Sequence, residues 1–195
     1  IGTFDFTLSG QPGRQVTTDD ENTPKAADVW SVPAGDSYTL AEIGQDIWFE
    51  GDFTCTADGR DPITNASPLI PVGAGDDWTC EITNSLRPTI TIVKDAQPAV
   101  DTTFPFTGDL GAFNLQDPSN TSVTFQTTLE DGGYEVTENL AALPGWDLEN
   151  ITCEVSDGAD TPGVDLDTDT VSIKAHWGDV ITCTFHNEGT GSVKV

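Results

Sequence analysis

Three short apolar stretches of this sequence each end in a polar residue that could take part in chemistry. Alternate side chains along a β-strand share one face. If the three stretches are strands, each carries apolar residues and one polar residue on the same face. The stretches and their polar residues are 89–94 with Lys94, 133–138 with Glu138, and 180–187 with Asn187. Buried polar groups are costly unless they satisfy one another, so we expect these three side chains to meet.

Lys94, Glu138 and Asn187 have a specific reaction available if they are desolvated together. Desolvation lowers the pKa of a lysine and leaves a nucleophilic amine. It raises the pKa of a glutamate, whose protonated carboxyl can polarise an amide carbonyl and shuttle protons. An amide bond could then join Lys94 to Asn187 with loss of ammonia, and proximity offsets about 7–11 kcal/mol of such a barrier. Two plainer interpretations stay open, a hydrogen-bonded cluster or strand ends whose polar tips reach water.

The elements that would position these residues belong to an internal repeat. The matching segments are 3–10 with 103–110, 37–59 with 133–158, and 73–84 with 176–187. The closing asparagines, Asn84 and Asn187, are 187 − 84 = 103 residues apart. The repeat therefore predicts two copies of one β domain of about 100 residues, a normal size for a sandwich. We expect domains at 1–86 and 87–189, with a short linker near 85–88.

The first copy carries only part of the polar set. It has Glu42 and Asn84 at the matching positions, whereas its lysine would fall before Ile1. The stretch 89–94 predicts the opening strand of the second copy and has no equivalent in the first. We therefore expect the first sandwich to lack its opening strand.

The end of the sequence repeats the pattern that follows Asn84. Val193 and Val195 follow Asn187 at the spacing with which Ile90 and Ile92 follow Asn84. Residues 190–195 are therefore predicted to begin the opening strand of a following repeat. Such a strand could complete a sheet edge in a neighbouring domain.

The four cysteines occupy equivalent positions in the two copies. Of the three possible pairings, the repeat favours Cys55 with Cys80 and Cys153 with Cys183. Disulfides indicate an oxidising compartment, and we expect an extracellular protein. Ligation of a metal by these cysteines with His176 or His186 lacks the paired short spacings of a zinc site.

Charge excludes several classes of partner. The chain has 33 acidic against 7 basic residues, a net charge of −26. Nucleic acid is excluded because its phosphates would be repelled, and anionic lipid surfaces are disfavoured for the same reason. No apolar run is long enough to span a membrane. Short apolar runs separated by Thr, Asp, Gly and Pro predict an all-β fold.

Other candidate sites are weaker. Asp165, Asp167 and Asp169 alternate as in a calcium loop but lack the central glycine and closing glutamate, so an acidic solvent face is preferred. We predict no metal and no cofactor. The sequence contains no catalytic constellation or phosphate loop, so we expect no enzyme.

The order of TIVKD, YEVTENLAALPGW and TCTFHN is similar to the prealbumin-like repeats (SpaA-type, also called Cna-B-like) of bacterial surface proteins and pilins. The resemblance spans nearly the whole chain, twice, and implies two tandem Ig-like sandwiches of about seven strands each. It also implies an isopeptide bond between Lys94 and Asn187, assisted by Glu138. The cysteine pair in each copy departs from the general pattern and could replace the isopeptide as the crosslink.

We therefore expect a structural repeat module of an extracellular fibre, stalk or adhesin. Its partners would be neighbouring copies arranged head to tail, in the same polypeptide or in an adjacent subunit. The alternative is a ligand- or glycan-binding surface module that uses the region of Trp30 or the insert 58–72, with a glycan or host receptor as partner. A calcium-dependent adhesive domain is a third interpretation.

Overall fold

A computed structural model of the protein describes residues 2–18, 28–127 and 132–191. The chain forms two compact units, residues 1–85 and 86–195. The expected all-β class is confirmed, since a single 3₁₀ turn at Leu140–Ala142 is the only helical element in the described ranges. None of the described residues forms a helix long and apolar enough to cross a membrane.

The described residues of the first unit form nine strands. They are β1 Thr3–Leu8, β2 Arg14–Thr17, β3 Ser37–Ile43, β4 Trp48–Glu50, β5 Phe53–Thr56, β6 Ile63–Asn65, β7 Leu69–Pro71, β8 Thr79–Glu81 and β9 Asn84–Leu86.

Nine strands are also formed by the part of the second unit that the structure describes. They are β10 Thr89–Gln97, β11 Phe104–Gly108, β12 Phe113–Leu115, β13 Ser122–Gln126, β14 Gly132–Glu138, β15 Trp146–Val155, β16 Gly163–Asp165, β17 Thr170–Ala175 and β18 Val180–Gly189. The second unit exceeds the expected seven because very short strands, such as β12 and β16, add to its sheets, and the first because it contains short segments such as β8 and β9.

The second unit is a sandwich of two sheets with strand orders β13-β10-β18-β15 and β12-β11-β14-β17-β16. In the first of these sheets β10 runs parallel to β18 and antiparallel to β13. Alternate residues of β10 and β18 are buried, as the period-two pattern predicts. Ile90, Ile92, Ile181, Cys183 and Phe185 are all 0% exposed, so the core lies between the two sheets.

One sheet of the first unit repeats this architecture and the other repeats it only in part. The order β2-β1-β3-β7 corresponds to β12-β11-β14-β17. The opposite layer contains the three-stranded sheet β6-β5-β8 and the two-stranded sheet β4-β9. Strands β8 and β9 together correspond to the single strand β18 of the second unit. No described strand of the first unit takes the position of β10. The repeat offset places the counterpart of β13 at 19–23, outside the described residues.

Candidate functional site

Lys94 lies on the inner face of β10, and only 1% of the residue is exposed. Its backbone is paired in register with Phe185 of β18. Its Nζ atom donates hydrogen bonds to the carbonyl oxygens of Phe185 at 2.9 Å and Asp95 at 3.1 Å. The same atom lies 4.4 Å from the centroid of the Phe104 ring, a cation–π distance. Lys94 therefore sits on an aromatic ring within the core and does not reach water.

Glu138 faces Lys94 from the opposite sheet, at the end of β14. Its Oε1 atom is 3.6 Å from Lys94 Nζ, and both side chains are 0% exposed. Burial lowers the pKa of Lys94 to about 8 in spite of the nearby carboxyl. Burial also raises the pKa of Glu138, although Lys94 opposes the rise. Desolvation therefore moves both groups toward their neutral forms.

Asn187 lies on the same inner face, one strand away from Lys94. It is 3% exposed and is paired with Ala96, two residues beyond Lys94 on β10. The two side chains are thus diagonal neighbours on adjacent parallel strands. Asn187 also lies close enough to Glu138 to oppose the rise in its pKa. The structure therefore places an amine, a carboxyl and a carboxamide in one buried cluster.

Four polar atoms of this cluster make no hydrogen bond of standard distance and angle, although Lys94 Nζ lies 3.6 Å from Glu138 Oε1 and Asn187 approaches the carboxyl closely enough to lower its pKa. They are both carboxyl oxygens of Glu138 and both side-chain polar atoms of Asn187. Buried polar groups in folded proteins are almost always paired, because an unpaired one costs about 1–3 kcal/mol. An amine and a carboxyl that burial moves toward their neutral forms, beside a carboxamide, are a combination that can form an amide bond.

The first unit contains the counterparts of two of these residues. Asn84 Nδ2 donates to both carboxyl oxygens of Glu42, at 2.8 and 3.0 Å. Asn84 Oδ1 is buried and has no hydrogen-bond partner. Burial raises the pKa of Glu42, and the negative charge of Glu50 adds to the rise. Both Glu42 and Asn84 are only partly buried, and none of the described residues supplies a lysine to them.

Each unit also contains one disulfide, joining Cys55 to Cys80 and Cys153 to Cys183. Cys153 and Cys183 are paired in register on β15 and β18, and Cys55 and Cys80 on β5 and β8. Lys94, in contrast, faces β18 from β10. In the second unit the disulfide and the lysine cluster therefore involve different pairs of strands, and neither substitutes for the other.

The residues of the alternative ligand- or glycan-binding interpretation lie in other parts of the fold. Trp30 donates through Nε1 to the Pro12 carbonyl at 2.9 Å, and the Arg14 guanidinium lies 5.8 Å from its ring centroid. The insert 58–72 contains β6 and β7, which are paired with β5 and β3.

Asp165 ends β16, and Asp167 and Asp169 lie beyond it on the way to β17. Within the described ranges no group of three or more metal-ligating side chains is assembled, at these aspartates or elsewhere. Val193 and Val195 lie outside the described residues.

Sequence reasoning missed the aromatic support of the lysine. Phe104 packs edge-to-face on Trp146, with centroids 5.1 Å apart. Phe4 and Trp48 repeat this contact in the first unit at 5.2 Å. The match of 3–10 with 103–110 was the signal that could have identified these phenylalanines as part of the site.

Several solved structures resemble the chain. A mutant of the major pilin from Streptococcus pyogenes is 14% identical, with 97% of this chain and 92% of that chain covered and a TM-score of 0.38. The C-terminal fragment of the pilus adhesin SpaC from Lactobacillus rhamnosus GG is 15% identical, with 99% and 90% covered and a TM-score of 0.31. None of the curated proteins matches the sequence.

The sequence matches one family model twice. The matched residues are 1–86 and 90–189, which together cover nearly the whole chain, and the model describes a prealbumin-like fold domain of the SpaA type. The expected resemblance is thus confirmed, and the chain belongs to the family of prealbumin-like fold domains, of which it contains two in tandem.

Proposed function

We propose that this protein is a structural repeat module of an extracellular fibre, stalk or adhesin, and that its second unit is crosslinked by an amide bond between Lys94 and Asn187. Two tandem domains of one family, each with its own disulfide, support a role in an elongated array. The disulfides favour an extracellular location. Neighbouring repeats, joined head to tail, are the proposed partners.

In the reaction, Lys94 Nζ attacks the Cγ atom of Asn187. The Nζ–Cγ bond forms, the Cγ–Nδ2 bond breaks, and the Nδ2 nitrogen leaves as ammonia. Glu138 takes a proton from the attacking amine and delivers one to the leaving nitrogen, so the carboxyl ends in its initial state. No oxidant, cofactor or external nucleophile is required.

The unpaired polar atoms of Glu138 and Asn187 carry this proposal. A stable hydrogen-bonded cluster would pair these atoms, because unpaired polar groups in the core are destabilising. An amide bond would remove part of this cost. The new N–H can donate to the Glu138 carboxyl, and the asparagine loses the NH₂ group that lacks a partner.

The position of the bond suits a load-bearing module. It would join the first and the last strand of the second unit, β10 and β18, which pair in parallel over nine residue positions from Thr89 to Gln97. If the two ends of the unit are pulled apart, the covalent link between these strands would bear the load, and the rest of the sandwich would not. The disulfide between β15 and β18 does not provide this link.

Intact mass tests the proposal. The non-reduced chain should have the mass of its sequence less four hydrogens, for two disulfides, and less one ammonia. Glu138→Gln should retain that ammonia, because the substitution removes the proton shuttle. Glu188→Gln, a change of the same kind on the exposed part of β18, is the matched control and should still lose it. A chain that keeps the ammonia throughout contradicts the crosslink, and its cluster is then held by hydrogen bonds alone.

A further inference from the structure

We infer that Thr152, His186 and Asp95 form a separate reactive site, at which the Thr152 hydroxyl accepts acyl groups from carboxylic esters of cationic alcohols. Asp95 and His186 alternate along β10 and β18 with the buried Lys94 and Asn187, so they lie on the outer face of the sheet. The inference goes beyond the proposed function, because a structural repeat has no need of this chemistry.

The three side chains form a continuous chain of hydrogen bonds across three adjacent strands. Asp95 lies on β10, His186 on β18 and Thr152 on β15. The Oδ2 atom of Asp95 is 2.9 Å from Nδ1 of His186, and Nε2 of His186 is 2.8 Å from Oγ1 of Thr152. A hydroxyl, an imidazole and a carboxylate joined in this order are the arrangement that activates a hydroxyl for acyl transfer.

The sheet brings these residues together from distant parts of the sequence. His186 is 91 residues from Asp95 and 34 residues from Thr152, so no local motif contains them. The parallel pairing of β10 with β18 places Asp95 in register with His186. The antiparallel pairing of β15 with β18 places Thr152 two residues beyond Asn150, the partner of His186. Thr152 is therefore the diagonal neighbour of the imidazole.

The positions of the protons follow from the Asp95 carboxyl. The hydrogen bond with His186 is the main cause that lowers the pKa of Asp95, so this group is ionised at neutral pH and can only accept. Nδ1 of His186 therefore carries a proton and donates it to Asp95. In the neutral imidazole Nε2 is then an acceptor, and Thr152 Oγ1 donates the bond of 2.8 Å. His186 is thus oriented as a general base for the hydroxyl.

A substrate can reach the hydroxyl from solvent. Thr152 is exposed, and the side chains of His186 and Asp95 are 34% and 44% exposed. The register of β15 against β18 shifts between Leu148 and Asn150, and irregularities of this kind re-aim side chains beside active sites. Asn150 is exposed opposite His186, so its carboxamide can donate to the oxygen that becomes negative in the transition state.

The surface on the other side of the imidazole indicates the class of ester. A depression of about 310 Å³ there is lined by His186 together with three carboxyl residues, Asp95, Glu149 and Glu188. In acyl transfer the imidazole passes its proton to the leaving oxygen, so the leaving alcohol lies beside His186. Carboxylates at that position attract positive charge. The alcohol part of the substrate is therefore cationic, as in an ester of a quaternary ammonium alcohol.

In the reaction, Thr152 Oγ1 attacks the carbonyl carbon of the ester, and its proton passes to His186 Nε2. The bond from Oγ1 to the carbonyl carbon forms, the bond from that carbon to the alcohol oxygen breaks, and Nε2 gives the proton to the leaving alcohol. Water then attacks the acyl group with the same base, and the acid is released. Asp95 touches no reacting atom and is a positioning residue for the imidazole.

Two acetate esters test the inference on the whole 195-residue chain. Acetylcholine carries a quaternary ammonium group, and its uncharged isostere carries a tert-butyl group in its place. Acid release measured at constant pH should show hydrolysis of acetylcholine at least about threefold faster than that of the isostere, as partly exposed charge pairs allow. A fluorophosphonate, which forms a stable O–P bond with an activated hydroxyl and loses fluoride, should label Thr152 in a peptide map.

Matched variants identify the nucleophile. Thr152→Val should abolish both hydrolysis and labelling. Thr124→Val is the control and should keep both, because Thr124 is exposed on the same face but its hydroxyl contacts Thr91, at 2.9 Å, and no histidine.

Variants of the other two residues test their roles. His186→Gln should lower kcat at least about 100-fold, since general acid–base assistance contributes about 10²–10⁴-fold. Asp95→Asn should lower kcat while KM stays the same, because an amide can donate to Nδ1 and leaves the ring proton on Nε2. A residue that only stabilised the fold would not separate kcat from KM in this way. Thermal unfolding of each variant verifies that the second unit has folded.

Three results would overturn the inference. The first is a chain that hydrolyses acetylcholine no faster than Thr152→Val does. The second is a fluorophosphonate label on any residue other than Thr152. The third is a double variant, Glu149→Gln with Glu188→Gln, that keeps the full preference for acetylcholine over its isostere, since the preference is assigned to these carboxylates.

Discussion

The two glutamate–asparagine pairs of this molecule have the same chemistry in different surroundings. Glu138 and Asn187 are 1% and 3% exposed, whereas Glu42 and Asn84 are only partly buried. In the first unit the asparagine nitrogen donates to both carboxyl oxygens at 2.8 and 3.0 Å, and in the second no hydrogen bond of standard distance and angle joins the pair. The main difference is β10, which brings Lys94 and closes the sheet. The comparison teaches that one strand supplies both the nucleophile and the desolvation that activates it.

The two units also differ in the number of apolar residues that they bury. Among the residues that the structure describes, the buried core of the second unit contains 15 apolar residues, and the main cluster of the first contains six. Because hydrophobic stabilisation scales with the apolar area removed from water, the second unit should be the more stable of the two.

The largest effect is expected where the packing differs most. Phe185→Ala should destabilise the second unit by about 3–5 kcal/mol, because its ring is 0% exposed and packs edge-to-face on Phe106 at 5.1 Å. The equivalent change Ile82→Ala should cost the first unit about 1–2 kcal/mol, since that side chain is partly exposed. Hydrogen exchange followed by mass spectrometry measures each unit separately. Equal losses at the two positions would contradict the difference in burial.

Removing the disulfide from each unit should show which unit is stable enough to stay folded without it. The bridges enclose separations of 25 and 30 residues, and each should contribute about 3.5 kcal/mol in the chain-entropy model. Cys55→Ala with Cys80→Ala should therefore unfold the first unit, whereas Cys153→Ala with Cys183→Ala should leave the second unit folded but weakened.

Urea unfolding monitored by hydrogen exchange distinguishes these outcomes. If the second unit instead unfolds first, the larger core and the proposed Lys94–Asn187 bond do not stabilise it as argued.

The last comparison concerns pH. In Asn187→Ala, Lys94 remains a free amine with a pKa near 8, below the ordinary 10.5. Between these values the unfolded chain binds more protons at this residue than the folded chain does. Stability of the second unit should therefore rise as pH increases from 8 to 10.5. The double variant Asn187→Ala with Lys94→Met is the control and should lack this rise.

The unsubstituted chain should also lack the rise, because an amide nitrogen does not titrate in this range. Thermal unfolding at a series of pH values measures all three proteins. A rise in the unsubstituted chain equal to that in Asn187→Ala would indicate that Lys94 is unbonded.

Much of the architecture follows from local patterns in the sequence. The period-two alternation in 89–94 and 180–187 places Lys94 and Asn187 on the apolar faces of β10 and β18, where the structure has them. The internal repeat predicts two sandwiches, and it predicts the cysteine pairs that the structure contains. These inferences succeed because alternation and duplication are properties of the chain itself, independent of which strands become neighbours.

Tertiary structure alone decided which faces meet and at what distance. The parallel pairing of β10 with β18 and the position of β14 in the opposite sheet bring Lys94 within 3.6 Å of Glu138, and no spacing in the sequence encodes that distance. The sequence patterns also did not predict the Phe104 ring beneath the lysine or the division of one long strand into β8 and β9. The period-two alternation along a strand determines the face on which a side chain lies. Whether that face is buried depends on what packs against it, and burial in turn shifts the pKa values on which the chemistry depends.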